Sequence, residues 1–126
     1  MRAEVEKFLM DYDCPLQYTG FSILTEAILC SSKYLGEIKS NLKNIYTDVG
    51  KKYDMSRLCI ERNLRTLMTA WSNKKGFHEL FTETPTNAKL VISLTHLFAQ
   101  NASNSRLTAP HKKFDATSSV YEVLFS

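Results

Sequence analysis

Four charged residues in the middle of the chain have the types and the spacing that suit contact with nucleic-acid bases: Arg57, Glu61, Arg62 and Arg65. Intervals of three and four residues bring side chains onto one side of a helix, and the major groove of DNA admits an α-helix. Arg binds guanine through O6 and N7, and Glu can accept from cytosine N4. We therefore predict that these residues read bases, with Glu61 either on cytosine or orienting Arg57 or Arg65.

The same pattern also occurs on ordinary solvated helices, where Arg and Glu at i, i+4 add a few tenths of a kcal/mol. The charge distribution favours the nucleic-acid interpretation. Residues 39–75 contain nine basic and three acidic side chains, a net charge of +6, whereas residues 1–38 contain three and six, a net charge of −3. Polar and basic residues flank the predicted reading helix, and we predict that they contact phosphates: Lys43, Lys51, Lys52, Ser56, Lys74 and Lys75.

The reading residues require a helix of about four turns over residues 56–71. One apolar stripe runs along this segment at helical spacing, formed by Ile60, Leu64, Leu67, Met68 and Trp71. Ser56 is the predicted N-cap, because its hydroxyl can accept from an unpaired N–H of the first turn. The run from Asn73 to Gly76 supplies stop signals, namely basic residues and a glycine.

A helix near 45–53 precedes it, and residues 46–65 together predict a helix-turn-helix. Gly50 supplies a small residue where the two helices meet, and Asp54 tolerates the positive φ wanted in the turn. We expect buried side chains around the turn at Val49, Tyr53, Met55 and Ile60. Asn63 fits this pattern poorly, because the apolar residue follows one place later.

The whole chain predicts an all-α fold of about six helices. A first helix runs from Val5 to Tyr12, a second begins near residues 20–22, and residues 37–44 form a third that is either separate from 45–53 or continuous with it. Residues 77–84 predict a loop or a short turn of helix, and Pro85-Thr86-Asn87 opens the last helix, which a polar break at Asn101–Ser105 ends.

We divide the chain into a domain at 1–100 and an extension at 101–126. The extension is irregular or forms a short added element, a strand or helix at Val120–Phe125.

Several classes of protein lack support in this sequence. No stretch approaches the roughly 18 apolar residues of a membrane span, and the acidic N-terminus is unlike a signal peptide, so we expect a cytoplasmic location. The three cysteines have no metal-binding spacing, and we predict neither a metal nor a cofactor. Phosphate-binding glycine loops, nucleophile elbows and paired carboxylates are also missing, which indicates that the protein is not an enzyme.

Four segments together resemble one bacterial family over about Val5 to Gln100. They are Pro15-Leu-Gln-Tyr-Thr-Gly-Phe-Ser-Ile-Leu-Thr-Glu-Ala-Ile28, Ile45-Tyr-Thr-Asp-Val-Gly-Lys-Lys-Tyr53, Ile60-Glu-Arg-Asn-Leu-Arg65 with Trp71, and Pro85-Thr-Asn87. The family is the C-terminal DNA-binding effector domain of the stage-zero sporulation response regulator of endospore-forming bacteria. The run of valine or isoleucine followed by Glu-Arg-x-x-Arg is its most specific part.

The resemblance implies an all-α fold of six helices with a helix-turn-helix. It also implies binding of short boxes of double-stranded DNA, often as tandem copies that contact each other through their last helices. Glu61, Arg62 and Arg65 match the positions that contact bases and phosphates, and the loop Asn73–Glu83 matches the contact with the sigma factor of RNA polymerase. Cys59 departs from the family, which has an arginine there, and Thr66 stands where a basic or polar residue is usual. We expect a different preferred box, with Arg57 compensating in part.

These observations together predict a stand-alone, sequence-specific transcription regulator without a receiver domain. A homodimer, bound in tandem on DNA, is one form that we consider. The alternative is a protein-interaction module, an antagonist or partner of a full-length sporulation-type regulator, with weak or lost DNA binding. Cys59 and the extension motivate that alternative. The extension could either mediate dimerisation or block it.

Overall fold

The computed structural model describes residues 1–104, and these residues form six α-helices with no strand among them. α1 spans Arg2–Asp11, α2 Thr19–Ser31, α3 Ile38–Tyr53, α4 Arg57–Trp71, α5 Lys75–Leu80 and α6 Asn87–Asn104, with a 3₁₀ turn at Ser32–Tyr34. The predicted all-α class is therefore confirmed for this part of the chain. The element predicted at Val120–Phe125 lies outside the described residues.

α2 lies at the centre of the fold and packs against α1, α3, α4 and α6. Most helices of a small domain bury one stripe, but a helix that is apolar on nearly every side is a core helix. The residues that α2 buries fit that description: Gly20, Phe21, Ile23, Leu24, Thr25, Ala27, Ile28 and Ser31. The buried hydroxyl of Thr25 donates to the Phe21 carbonyl at 2.9 Å, so this polar group is satisfied inside the core. α2 therefore packs against the buried side of α4 and helps to fix its position.

The segments predicted at 37–44 and 45–53 form one helix, α3. The predicted end near Tyr53 is correct, and of the two alternatives left open at residue 45 the continuous helix is the one observed, with its start at Ile38. No proline or glycine interrupts residues 38–49. Ile38, Ile45 and Val49 are all buried, and their intervals of seven and four residues keep them on one side of a continuous helix.

The sequence pattern assigned Gly76 to the stop signal after α4, but Gly76 lies inside the short helix α5. A Cβ at Gly76 would collide with the backbone of Tyr12. The Gly76 N–H also donates to the Asp13 carboxylate at 2.8 Å. This glycine therefore allows α5 to approach the end of α1, and Phe77 and Leu80 complete the core beside it.

α6 begins where the sequence predicts, after the N-cap Thr86, whose hydroxyl accepts from the Lys89 N–H at 3.2 Å. The predicted polar break at Asn101–Ser105 is wrong at its first four positions, because the helix continues to Asn104. Polar residues continue a helix where neither glycine nor proline stops it. The division of the chain at residue 100 stays a prediction.

Candidate nucleic-acid interface

The connection between α3 and α4 fixes where α4 begins. Asp54 has left-handed backbone angles, with φ 57° and ψ 48°, and the Met55 N–H donates to the Gly50 carbonyl at 2.8 Å. The Ser56 hydroxyl then accepts from the Cys59 N–H at 3.2 Å. The predicted positive φ at Asp54 and the predicted N-cap at Ser56 are both confirmed. Two helices joined by this three-residue connection have the form of a helix-turn-helix.

Gly50 permits the tight return of the chain after α3. A Cβ there would collide with the Met55 carbonyl oxygen and lie 3.8 Å from the Ile60 side chain. The predicted burial is correct for Val49 and Ile60, which are 2% and 0% exposed. It is wrong for Tyr53 and Met55, which are only partly buried. The Tyr53 hydroxyl instead lies at the edge of α2, where it donates to the Ser22 carbonyl at 3.4 Å.

The side of α4 that faces the core is held by contacts at the middle of the helix and at its C-terminal end. A Cβ added to Gly20 of α2 would lie 2.6 Å from the Asn63 carbonyl oxygen, so the two helices are in close contact. The Asn63 side chain, the poor fit of the sequence pattern, donates back to the Cys59 carbonyl at 2.9 Å. At the other end, the buried Trp71 indole N–H donates to the Tyr12 carbonyl at 2.8 Å. These contacts leave α4 little freedom to rotate about its axis.

The opposite side of α4 is exposed and carries two of the predicted reading residues, Arg62 and Arg65. Within residues 1–104 neither guanidinium takes part in a hydrogen bond or an ion pair. Thr69 is exposed one turn further along. Both arginines are therefore available to a ligand on this side, which we call the outward face of α4.

Leu58 also belongs to the outward face, although it was not among the predicted site residues. It is 67% exposed and precedes Arg62 by four residues, so the two side chains lie on adjacent turns. Spacing alone could have placed it there. Its apolar type gave no reason to include it in a charged site.

Arg57 and Glu61 occupy the flank of α4 rather than the outward face. Successive residues of a helix are about 100° apart, which separates Glu61 from Arg62, but Glu61 precedes Arg65 by four residues and so lies at the boundary between the flank and the outward face. The Arg57 Nε lies 3.8 Å from a Glu61 carboxylate oxygen, so the predicted i, i+4 ion pair forms between these two residues. Exposed pairs of this kind add little stability, and a ligand could separate them.

On this flank, Glu61 lies close to the buried Tyr46 of α3 and to Asn87 at the start of α6. The Asn87 amide donates to the Glu61 carbonyl at 3.1 Å and so ties α6 to α4. Burial raises the pKa of Tyr46 to about 12, and the Glu61 charge adds to the rise. Tyr46 of α3 and Asn87 of α6 are therefore both close to Glu61.

The predicted phosphate contacts lie at both ends of α4. Lys51 and Ser56 line one shallow groove at the turn, together with Thr47 and Arg57. Lys43 is exposed and precedes Thr47 and Lys51 on α3 at successive intervals of four, which places all three in one row.

Lys74 and Lys75 are exposed at the far end of α4. The 15 residues of α4 correspond to a helix of about 22 Å, so exposed basic residues lie just beyond both ends of this helix. Lys52 differs from the other candidates, because its Nζ lies 2.8 Å from Glu26. Glu26 also pairs with Arg2, so Lys52 shares its carboxylate partner with a second cation.

Metal-binding residue types do not cluster among residues 1–104. No group of His, Cys, Asp and Glu there could hold a metal ion. The cysteines are unpaired, and burial raises the pKa of Cys14 and of Cys30. No described helix is long and apolar enough to cross a membrane.

Residues 5–98 match the family model of the sporulation initiation factor Spo0A C terminal. The chain belongs to this family. Comparison with curated proteins and with solved structures gave no match. The Spo0A C-terminal family is one of DNA-binding effector domains of transcription regulators and is not a family of enzymes. The outward face of α4, on the second helix of the helix-turn-helix, is thus the candidate surface for DNA in this Spo0A C-terminal domain.

Proposed function

We propose that this chain binds double-stranded DNA sequence-specifically with α4 in the major groove, and that it regulates transcription in the bacterial cytoplasm. Arg62 and Arg65 read base edges from the outward face, and Glu61 and Arg57 contribute from its flank. Lys43, Lys51, Ser56, Lys74 and Lys75 contact phosphates on either side, and Lys52 contributes less because of its pair with Glu26.

The observation that supports this proposal most directly is that Arg62 and Arg65 are exposed and unpaired within residues 1–104. The buried residues of α4 fix that helix in the core, so these cations are presented on a rigid support. Arg bound bidentately to guanine provides about 1–3 kcal/mol of discrimination. Cations without internal partners need not give up a salt bridge when they bind DNA.

The test begins with selection of bound duplexes from a random pool by the 126-residue chain. Affinity for the enriched box is then compared with affinity for a scrambled duplex at several salt concentrations. We expect a preference of at least ~10³ for the box and a steep loss of affinity with salt. Failure to enrich a sequence, or equal binding to both duplexes, would contradict the proposal.

A matched variant separates base reading from general attraction to DNA. Arg62→Ala combined with Arg65→Ala removes two exposed side chains, so we expect the fold to persist, as circular dichroism can verify. The double variant should lose most of the preference for the box while it retains salt-dependent binding to any duplex. An unchanged preference would show that another surface reads the sequence.

A protein-interaction module is the second candidate function. Cys59 stands where the family has an arginine, and Leu58 beside it is exposed, so the first turn of α4 is less basic than the family pattern. Absence of DNA binding, combined with binding to a full-length sporulation-type regulator, would support this function instead.

We propose further that the segment Asn73–Glu83 contacts the sigma factor of RNA polymerase. Its apolar side chains at Phe77, Leu80 and Phe81 are buried, whereas Lys74, Lys75, His78 and Glu79 are exposed. Substitution of His78 by Ala should lower transcription from a promoter that carries the box and leave DNA affinity unchanged. A parallel fall in both would contradict a separate role for this segment.

Tandem binding of two copies on DNA, with contact through α6, is also proposed. Titration of duplexes with one and two boxes tests it. Cooperative binding to adjacent boxes is expected, and it should depend on their spacing. Independent binding at every spacing would exclude contact between the copies.

A further inference from the structure

Leu58 is an apolar side chain on the surface that we propose for DNA. It is 67% exposed, and α4 carries no other large hydrophobic side chain of comparable exposure. A single exposed leucine is common on protein surfaces. This one shares a face with two arginines that are unpaired within residues 1–104.

The position of Leu58 along α4 also matters. It is the second residue of the helix, and the N-terminal residues of a recognition helix are those that contact base edges. Arg62 follows after four residues and Arg65 after seven, so all three lie on one row. If Arg62 reaches a base edge, Leu58 reaches the same groove one turn earlier.

Of the apolar residues in this first turn, Leu58 is the one that extends outward. Its neighbour Cys59 is partly buried, and the Cys59 sulfur lies 3.7 Å from the Asn63 amide on the same helix. Ile60 is fully buried. A ligand on the outward face would therefore meet the leucine methyl groups at this level of the helix.

The major groove offers such a side chain one apolar group, the C5-methyl of thymine. We infer that Leu58 contacts a thymine methyl and is a further specificity-determining residue of the interface. The inference rests on the proposed function. It adds an A·T pair to the recognition site, in the same groove that Arg62 is proposed to read.

Replacement of thymine by uracil tests the contact, because it removes only the methyl group. In the duplex selected by the wild-type chain, each thymine is replaced in turn at one fixed salt concentration. We expect one position at which uracil weakens wild-type binding about 3–5-fold, as for loss of one buried methyl-sized group. Leu58→Ala should bind the thymine and uracil duplexes equally, and Leu58→Met should keep part of the difference.

Leu35→Ala is the matched control, because Leu35 is also exposed, at 47%, but precedes the start of α3. The start of α3 lies about 24 Å from the turn, because the helix has 16 residues. This control should keep the full thymine preference. Equal binding of uracil at every position, or an unchanged preference in Leu58→Ala, would overturn the inference about Leu58 while box binding stands. Failure of the wild-type chain to prefer any box would overturn the proposed function and this inference with it.

Discussion

Arg62 and Lys51 are both exposed cations, but they lie at different places around the proposed groove. Arg62 is on the outward face of α4, whereas Lys51 lies beside the turn. Arg62→Ala should cost about 1–3 kcal/mol of affinity for the box and relax specificity at one base position. Lys51→Ala should weaken binding to all duplexes about equally. Affinities for the box and its single-base variants measure the two effects, and identical behaviour would contradict the assignment of α4 as the reading helix.

Lys52 provides a control for Lys51 because it is the next residue and carries the same charge. Its Nζ lies 2.8 Å from Glu26, whereas Lys51 has no such pair within residues 1–104. We expect Lys52→Ala to reduce DNA affinity less than Lys51→Ala in the same titration. A larger effect of Lys52→Ala would mean that the ion pair with Glu26 opens when DNA binds.

At the scale of elements, the helix-turn-helix depends on the absence of a side chain at Gly50. Replacement of glycine by alanine in an exposed helix interior stabilises by about 1 kcal/mol. At Gly50 the added Cβ would collide with the Met55 carbonyl, and overpacking costs about 1–3 kcal/mol. We therefore predict that Gly50→Ala destabilises the fold, as measured by urea unfolding. Asp48→Ala, an exposed neighbour on α3, should change stability little, and a stabilised Gly50→Ala would contradict the close approach.

Trp71 fixes the C-terminal end of α4. It is fully buried, stacks edge-on against Phe77 with centroids 5.3 Å apart, and donates to the Tyr12 carbonyl. Trp71→Ala should lower the free energy of unfolding by about 3–5 kcal/mol. Trp71→Phe should cost less, because it removes the hydrogen bond but keeps an aromatic ring. Thr69→Ala, on the exposed side of the same helix, is the control, and equal effects of all three changes would contradict an anchoring role.

Local signals predicted α4 well because its apolar stripe, its N-cap and the left-handed Asp54 are all properties of adjacent residues. The same signals failed at Gly76, because a glycine that allows close packing and a glycine that ends a helix are alike in sequence. The packing partner of Gly76 is Tyr12, which is far away along the chain. The sequence pattern left residues 37–44 and 45–53 either separate or joined, because the burial of Ile38 on the same face as Ile45 and Val49 is visible only in the folded chain.

The candidate site was predictable to the extent that charge and spacing define it. Arg62 and Arg65 lie together on the outward face, as their interval of three residues requires. The pair between Lys52 and Glu26 could not be predicted, because α2 and α3 bring these side chains together only in the folded chain. Leu58 shows the opposite limitation, since its position followed from spacing but its apolar type suggested no role in a charged site.

For the molecule as a whole, the net charge of +3 hides an uneven distribution. The basic segment 39–75 contains α4 and both groups of proposed phosphate contacts. Lys43, Lys51, Lys74 and Lys75 have no carboxylate partner within residues 1–104. Each phosphate contact contributes about −0.9 to the slope of log K against log salt concentration. These four cations alone should therefore give a slope of about −3 to −4.

If this slope arises from local contacts, the position of a lost charge should matter more than the total. Lys51→Ala with Lys74→Ala lowers the net charge from +3 to +1, and so does Lys7→Ala with Lys33→Ala. The first double variant removes cations from both ends of α4, so its slope should become shallower by about 2. The second removes exposed lysines of the acidic segment 1–38, of which Lys7 is paired with Asp11, and should keep the wild-type slope. Equal changes in the two variants would show that overall charge, and not the surface around α4, attracts DNA.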